Sequence, residues 1–219
     1  MLLSYIYHEG AISLRKVRWG VISTADIAQT QVIPAILRSE NAELVGIASR
    51  DSKAKDVAEK FLIPNYYQSY EELLRDQEIE AVYIPLPNHL HSEWVKKAAK
   101  FGKHVLVEKP AALSTVETQE MVEFCHRNNV KFMEAFMYQF HPQHKRVKEI
   151  IKSGEIGEIK FMRASFSFFL ENRKNNIRMN KEMGGGSIYD VGCYGIHAVR
   201  HLLGTEPVKV EAFAELDPR

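Results

Sequence analysis

The chain has few of the features that mark secreted or membrane proteins. Its 219 residues include two cysteines, Cys125 and Cys193, which are too few for a disulfide framework and favour free thiols in a reducing compartment. No apolar run is long enough to span a bilayer, and the apolar residues of 1–12 lack the basic region that begins a signal peptide. We therefore expect a cytoplasmic protein with no membrane partner.

The chain also lacks an excess of charge of either sign. There are 29 basic and 28 acidic residues, a formal charge of +1, and no basic stripe that would indicate nucleic-acid binding. Hydrophobic residues make up 45% of the chain, which is enough to bury a core. This balance favours a globular protein that acts on small molecules.

Short apolar strands alternate with helical patterns up to about residue 137. Strands are predicted at Val17–Ile22, Leu44–Ser49, near Tyr66, Ala81–Ile84, Val105–Val107 and Val130–Phe136. Helices are predicted at Asp26–Arg38, with a kink or restart at Pro34, and at Lys53–Phe61, Tyr70–Arg75, His91–Phe101 and Ser114–Asn128. The alternation predicts an α/β fold with a doubly wound parallel sheet of the Rossmann type.

A different pattern follows residue 137. It predicts, in order, a helix at Gln143–Ile151, an antiparallel strand at Ile159–Phe169, a polar loop at Glu171–Glu182, a helix from Gly184 to about Leu203 and a strand at Val208–Glu215. We divide the chain into a disordered extension at 1–15, a dinucleotide-binding domain at 16–137 and a partial α+β substrate-binding and oligomerisation domain at 138–219. Its open, mainly antiparallel sheet has too few strands to bury one face, so we predict a C-terminal truncation.

The first strand leads into a turn where a dinucleotide-binding fold carries its Gly-x-Gly-x-x-Gly motif. Ser23, Ala25 and Ala28 occupy or neighbour the glycine positions and are small enough for backbone amides to approach a pyrophosphate. The cofactor-binding candidates in this turn are Ser23, Thr24, Ala25, Asp26 and Ile27. An ordinary strand-turn-helix connection explains this segment equally well.

The second strand ends at Ser49-Arg50. An acidic residue at this point holds the ribose hydroxyls of NAD, whereas an arginine accommodates the 2′-phosphate of NADP. We therefore predict that Ser49 and Arg50 bind NADP. The adjacent Asp51 leaves NAD possible as the cofactor. An alternative role for Arg50 is to solvate the start of the following helix, without binding a cofactor.

Glu108-Lys109-Pro110 follows the apolar run His104–Val107. A lysine at the tip of a buried strand is partly desolvated, so its ammonium group can polarise a substrate oxygen. Pro110 favours an extended Lys109. Taken alone, the tripeptide is also compatible with a surface turn.

The segment from Gly184 to His197 places Asp190 and Tyr194 four residues apart on one helix face, with His197 one turn further on. A carboxylate, a phenol and an imidazole can hold a polyol and relay the proton released in its oxidation. Cys193, His197 and His201 share a metal-ligand spacing, but no partner cluster occurs elsewhere, so we predict no metal.

Three motifs in this order resemble the glucose-fructose oxidoreductase/inositol dehydrogenase (Gfo/Idh/MocA) family over residues 16–219. They are Pro87-Asn88-His89-x-His91, Glu108-Lys109-Pro110 and Gly184-Gly185-Gly186-x-x-x-Asp190-x-Gly192-x-Tyr194. The chain is most similar to the branch with dimeric dihydrodiol dehydrogenase and NADP-linked xylose dehydrogenases. The extension before Lys16 has no family counterpart, and a true start near Leu14 would account for it.

The resemblance implies an NADP(H)-dependent oxidoreductase, with NAD as the alternative cofactor. Its substrate would be a sugar, polyol or cyclic trans-dihydrodiol. Lys109 and Tyr194 would form the catalytic pair, assisted by Asp190. Tyr194 would take the hydroxyl proton with its pKa lowered by Lys109, or Lys109 would itself be the base. The further cofactor-binding residues would be Leu86, Asn88, His91, Glu108 and Lys109, while His197 would have a supporting role.

The full-length protein is expected to be a homo-oligomer, a dimer or tetramer. Family members carry further strands that complete the substrate pocket, so little turnover is expected from these 219 residues. The alternatives are a regulatory protein that binds NADP(H) without turnover, since fold alone does not fix function, and an inactive fragment of an enzyme.

Overall fold

The computed structural model describes residues 15–174 and 176–214. Residues 1–14 of the predicted disordered extension and Glu215 of the last predicted strand lie outside the described residues. Among the described residues, no helix has the length and apolar composition needed to cross a bilayer.

Six strands form one sheet in the order β3-β2-β1-β4-β5-β6. Their bounds are Val17–Ile22 (β1), Ala42–Ala48 (β2), Asn65–Tyr67 (β3), Ala81–Ile84 (β4), His104–Val107 (β5) and Phe132–Glu134 (β6). The pairs β1/β2, β1/β4, β2/β3 and β4/β5 are parallel. This is the strand order of the Rossmann fold, which confirms the predicted α/β class.

The helices connect these strands and continue after them. Their bounds are Ile33–Arg38 (α1), Lys53–Phe61 (α2), Tyr70–Arg75 (α3), His91–Lys100 (α4), Thr115–Arg127 (α5), Pro142–Ser153 (α6) and Cys193–Leu203 (α7). A wider, π-helical turn, Ala28–Val32, precedes α1. Pro34 lies at the start of α1, where its missing N–H is tolerated. The predicted helix at Asp26–Arg38 is therefore present without a break, and it changes from π-helical to α-helical geometry at Ile33 in place of the expected kink or restart.

The sheet core is apolar because parallel strands are covered on both faces. Every residue of β4 is buried, as is the second half of β1, and Val21, Ile33, Ile47 and Tyr83 are 0% exposed within one cluster. In a doubly wound sheet, ligands bind at the carboxyl ends of the strands where the strand order reverses. Here that point lies between β1 and β4.

The chain divides into two compact units. The first comprises the described residues of Met1–Leu86, Glu93–Val107 and Gln119–Met133, which include most of the sheet. The second comprises the described residues of Pro87–Ser92, Glu108–Thr118 and Glu134–Arg219. It contains α6, which ends at Gly154 with a left-handed φ of 74°, and α7.

The prediction of strands at 159–169 and 208–215 in the second unit is wrong for the described residues. Residues 159–169 and 208–214 have no regular secondary structure, so no mainly antiparallel sheet is found in the described part of this unit. Their alternation of apolar and polar residues is real, and Phe161, Phe169 and Phe213 are exposed. A strand, however, is defined by hydrogen bonds to a neighbouring strand, and the described residues provide none for these segments.

Candidate functional site

A cleft of about 650 Å³ lies at the carboxyl ends of β1 and β2 in the first unit. We call it the strand-end cleft. Its lining consists of Ser23, Thr24, Ala25, Asp26, Ser49, Arg50, Asp51, Lys53 and Tyr70. The structure thus brings together the residues predicted from the β1 turn and the β2 end, apart from Ile27, which follows the lining residue Asp26.

In the turn after β1, a serine adopts a backbone conformation that is typical of glycine. Ser23 has a φ of 114°, a region that glycine adopts readily and other residues rarely. Its N–H donates to Ala48 O at 2.9 Å, and its Oγ accepts the N–H of Ala25 at 3.2 Å. Ala28 is fully buried, so a small residue is needed there as well. This turn leads directly into a helix, whose amino end favours anions.

The β2 end presents the exposed Arg50 side chain beside a hydrogen-bonded loop. Ser49 is buried, and its Oγ donates to Asp51 Oδ1 at 2.6 Å. This bond is the main reason that the pKa of Asp51 lies below its ordinary value. The Arg50 guanidinium lies 5.8 Å from the centre of the Tyr70 ring, a distance at which a cation is attracted to the ring face. Arg50 thus lines the cleft beside Tyr70, where a guanidinium group can contact an anion.

A second cluster, which we call the lysine cluster, lies in the second unit and consists of Lys109, Asp190 and Tyr194. Lys109 Nζ donates to the backbone oxygen of Asp190 at 2.6 Å and lies 3.5 Å from its Oδ1. It is also 5.0 Å from the centre of the Tyr194 ring. The Lys109 and Asp190 side chains are each 16% exposed. The structure therefore brings the three predicted catalytic residues together.

Tyr194 is a weaker acid than predicted. Burial, followed by the nearby Glu108 carboxylate, raises its pKa to about 12. Lys109 lies over the ring face, while the hydroxyl lies 3.8 Å from Met137 Sδ. The expectation that Lys109 lowers the pKa of this phenol is thus wrong for this arrangement, because desolvation, which favours the neutral phenol, is the largest influence on its pKa.

Three predicted cofactor residues hold the loops around Lys109. The His91 ring is fully buried, with Nδ1 2.8 Å from Pro110 O. Asn88 Nδ2 donates to Gly184 O at 2.8 Å, and Glu108 Oε2 accepts the N–H of Lys109 at 3.3 Å. Leu86, in the first unit, is buried just beyond β4.

Sequence reasoning missed two groups that fix this cluster. Arg178 Nε donates to Asp190 Oδ2 at 2.8 Å, although Arg178 lies in a segment predicted only as a polar loop. Glu134, at the end of β6, accepts the N–H of Ala111 at 2.7 Å, and burial raises the pKa of its carboxyl. The sequence did contain a signal for Glu134, because an acidic residue at the end of a predicted strand is a candidate site residue. Nothing local to Arg178 indicates its partner.

His197 supports an aromatic cluster. Its ring stacks on Phe136 at 4.2 Å, and its Nδ1 lies 2.5 Å from Tyr138 Oη. Burial is the main cause that lowers its pKa. Cys193 Sγ donates to Tyr189 O at 3.2 Å, and in the part of the chain that the structure describes no group of three or more His, Cys, Asp or Glu residues could hold a metal.

The helix that carries Asp190 begins with a wide turn. Residues Ile188–Gly192 are π-helical, and the α-helical part begins at Cys193. The Tyr189 hydroxyl donates to Leu113 O at 2.8 Å and anchors this turn. The sequence predicted an ordinary helix here, whereas π-helical turns are frequent at functional sites.

Replacing Gly185 with alanine is expected to destabilise the second unit by about 2 kcal/mol or more. A Cβ at this position would lie 2.6–2.7 Å from the backbone oxygens of Ile177, Arg178 and Asn180. Urea unfolding of both variants measures the effect, with Gly195→Ala as the matched control. At Gly195 the nearest atom to an added Cβ is Ala164 Cβ at 3.5 Å, so alanine should be neutral or slightly stabilising there. Equal stability of the two variants would contradict the close packing of Gly185.

Comparison with known proteins agrees with the fold and the motifs. The Gfo/Idh/MocA oxidoreductase family, described as having an NAD-binding Rossmann fold, matches residues 17–136, and the Gfo/Idh/MocA C-terminal domain matches residues 144–219. D-xylose 1-dehydrogenase (NADP(+)) 2 of Haloferax volcanii is 46% identical over 188 residues, which are 85% of this chain and 57% of that protein. Trans-1,2-dihydrobenzene-1,2-diol dehydrogenase of Xenopus tropicalis is 34% identical over 198 residues, 89% of this chain and 59% of that protein.

A solved structure is also similar. The 3-ketoreductase from Actinomadura kijaniata, in complex with NADP and TDP-benzene, superposes with a TM-score of 0.81 at 36% identity, over 86% of this chain and 58% of that one. The chain thus spans less than two thirds of the length of each of these proteins. With its Rossmann strand order, its three motifs and a family match across both parts of its length, the chain belongs to the Gfo/Idh/MocA oxidoreductase family.

Proposed function

We propose that the protein is an NADP(H)-dependent oxidoreductase that acts on a hydroxyl-bearing carbon of a sugar, polyol or cyclic dihydrodiol. The observation that carries this proposal is the lysine cluster, in which an ammonium group, a carboxylate and a phenol lie within contact distance. The names of the relatives, a xylose dehydrogenase, a dihydrodiol dehydrogenase and a 3-ketoreductase, support this substrate class.

The strand-end cleft fits a phosphorylated dinucleotide. The glycine-like backbone at Ser23 and the small Ala25 side chain line the cleft beside the helix amino end and would leave room there for a pyrophosphate. Arg50 would hold the 2′-phosphate. The redox chemistry itself, uptake and release of a hydride, is supplied by the dinucleotide when it is bound.

Tyr194 would move the proton that accompanies this chemistry. Because its pKa is about 12, the phenol is protonated at neutral pH and can donate to a substrate carbonyl oxygen in the reductive direction. In the oxidative direction the phenol must first lose its proton, which makes that direction dependent on pH. Lys109 could itself act as the base, and variants of the two residues separate these roles.

Lys109 would orient the reacting oxygen and stabilise negative charge on it. The carbonyl and carboxylate of Asp190 hold the ammonium group, and Arg178 in turn holds that carboxylate. The charged group is therefore in place before substrate binds. Such preorganisation avoids the cost of moving charged groups during the reaction.

The proposal extends to the organisation of the chain. Residues 16–137 would form the dinucleotide-binding domain and residues 138–219 part of the substrate domain, in a cytoplasmic homo-oligomer. Size-exclusion chromatography with light scattering measures the oligomeric state, and a monodisperse monomer would contradict this part of the proposal.

Replacing Arg50 with alanine is expected to weaken NADPH binding by about 1.5–3 kcal/mol and to leave NADH binding nearly unchanged, because a charge-assisted contact to the 2′-phosphate is lost. Fluorescence titration of both nucleotides tests this, with the exposed Arg38 of α1 replaced by alanine as the matched control. Equal affinities of the parent protein for NADPH and NADH would refute the NADP assignment. A parent protein that binds neither nucleotide would refute the proposed function.

A further inference from the structure

We propose that the hydrogen-bonded pair of Tyr138 and His197 positions the phenol of Tyr194, and that this support requires an uncharged His197. The inference rests on the proposed function, in which Tyr194 moves the proton. It gives a specific task to two residues that the catalytic argument leaves unused. All the groups concerned lie in the second unit.

Three consecutive side chains contact Tyr194. The Phe136 ring meets the Tyr194 ring edge to face, with ring centres 5.4 Å apart. Met137 Sδ lies 3.8 Å from the Tyr194 hydroxyl, and the ring centres of Tyr138 and Tyr194 are 5.9 Å apart. Phe136 directly precedes a short 3₁₀ turn, Met137–Phe140, which carries the other two. The orientation of Tyr194 therefore depends on where this short segment lies.

His197 holds the same segment against α7. Its Nδ1 lies 2.5 Å from Tyr138 Oη, and its ring stacks on that of Phe136 at 4.2 Å, with 17° between the ring planes. Tyr194 and His197 are three residues apart in α7, so they lie on the same face of the helix. One imidazole thus contacts two of the three side chains that surround the phenol-bearing residue.

The imidazole of His197 is uncharged at neutral pH. Burial is the main cause that lowers its pKa below the ordinary value of 6.5. Three neighbouring basic groups lower the same pKa further, His201 and Arg200 of α7 and Lys148 of α6. Burial also raises the pKa of Tyr138, so its hydroxyl keeps its proton. A neutral imidazole can therefore accept the Tyr138 O–H at Nδ1.

A proton on His197 would disturb this arrangement. Nδ1 would become a donor, so the Tyr138 hydroxyl would have to turn. The new cation would also lie beside His201, which stacks on it at 5.4 Å and has Lys148 Nζ 3.3 Å from its own Nδ1. On the far side, the His144 ring meets that of Tyr138 at 4.8 Å. Because the folded-state pKa of His197 is lowered, the support is complete above about pH 6.5 and is lost as the pH falls through that pKa.

The first test is an NMR titration of protein with isotope-labelled histidine and tyrosine, which needs no turnover. At pH 7.5 the Nδ1 of His197 should carry no proton. Tyr138→Phe removes a donor to the neutral imidazole, so the titration midpoint of His197 should rise by about 0.5–1 pH unit, the value of one hydrogen bond. The ring signals of Tyr194 should follow the His197 midpoint in the parent protein.

The second test is the pH profile of kcat for reduction of diacetyl, a small carbonyl probe, at saturating NADPH. The parent rate should decline below about pH 6.5. His197→Phe keeps a stacked ring but removes the acceptor, so kcat should fall by about 10- to 100-fold, as for a displaced catalytic group, without a change in NADPH affinity. His197→Asn supplies an acceptor that takes up no proton, and it should restore most of kcat and lack the acidic decline.

The matched control is His141→Asn. His141 is an exposed histidine whose Nδ1 accepts the N–H of Gln143 at 3.2 Å at the start of α6. Asparagine is also a favourable residue at this position, so the rate and its pH profile should stay those of the parent protein. This control distinguishes loss of the Tyr138 contact from the loss of any histidine in the second unit.

The outcomes separate this inference from the proposed function. A proton on His197 Nδ1 at pH 7.5, or an unchanged His197 midpoint in Tyr138→Phe, overturns the proposed pair. Full kcat in His197→Phe overturns its positioning role and leaves the proposed function intact. An acidic decline that persists in His197→Asn refutes the requirement for an uncharged His197. A parent protein that does not bind NADPH overturns the proposed function and this inference together.

Discussion

Replacing Lys109 with methionine is expected to reduce turnover by about 10²- to 10³-fold, the usual cost of removing one preorganised group that stabilises charge on a reacting oxygen. Methionine keeps the length of the side chain and removes its charge. The ammonium group touches Asp190 and the face of Tyr194, whereas the residues predicted to bind the adenosine phosphate line the strand-end cleft. NADPH affinity should therefore change little.

Steady-state kinetics and NADPH titration on the same preparations check this result. The matched control is Lys96→Met, which removes a lysine that pairs with Glu120 at the surface and should behave like the parent protein. Wild-type turnover in Lys109→Met would place the oxygen-stabilising role elsewhere. A parallel loss of NADPH affinity would instead indicate that Lys109 acts in cofactor binding.

Replacing Tyr194 with phenylalanine should lower turnover by about 10²- to 10⁴-fold, the range for a general acid-base group. The pH dependence of the parent protein carries additional information. Since the pKa of Tyr194 is about 12, the deprotonated fraction grows with pH throughout the working range. Oxidation should accelerate by up to about tenfold per pH unit from about pH 7 to about pH 9, while reduction, which uses the protonated phenol, should stay nearly flat.

Tyr189→Phe is the matched control for this variant. Tyr189 lies in the same helical segment, and its hydroxyl donates to Leu113 O, so its loss should affect stability and leave the pH profile of turnover unchanged. Full activity of Tyr194→Phe would transfer the base role to Lys109 or to water. An oxidation rate that does not depend on pH in the parent protein would mean that substrate and cofactor lower the phenol pKa on binding.

Local patterns predicted the first unit closely. The bounds of β1, α2, α3 and β4 agree with prediction, because apolar runs, helix periodicity and turn residues lie within each segment. Segment 159–169 shows the limit of such patterns. Its alternation identifies residues suited to a strand face, but the strand itself requires hydrogen bonds to a neighbour that its own sequence does not supply.

The residues of the lysine cluster could be predicted from the sequence, whereas the pKa of Tyr194 and the contact of Arg178 could not. Glu108-Lys109-Pro110 and the spacing of Asp190 and Tyr194 pointed to residues that the structure brings together. The high pKa of Tyr194 depends on burial and on the carboxylate of Glu108, and neither distance nor desolvation can be inferred from spacing. The Arg178 contact to Asp190 likewise depends on how an irregular loop returns to the helix.

The wide turn Ile188–Gly192 restricts how this segment can change in evolution. Asp190 lies inside that turn and Tyr194 follows it in regular helix. Deleting one residue between them would leave Tyr194 three residues after Asp190 and would remove the extra residue that the wide turn accommodates. The phenol would then shift relative to the Asp190 carboxylate and the Lys109 ammonium group. We expect this stretch to tolerate changes of side chain at Ile188, which is 65% exposed, and not to tolerate insertions or deletions.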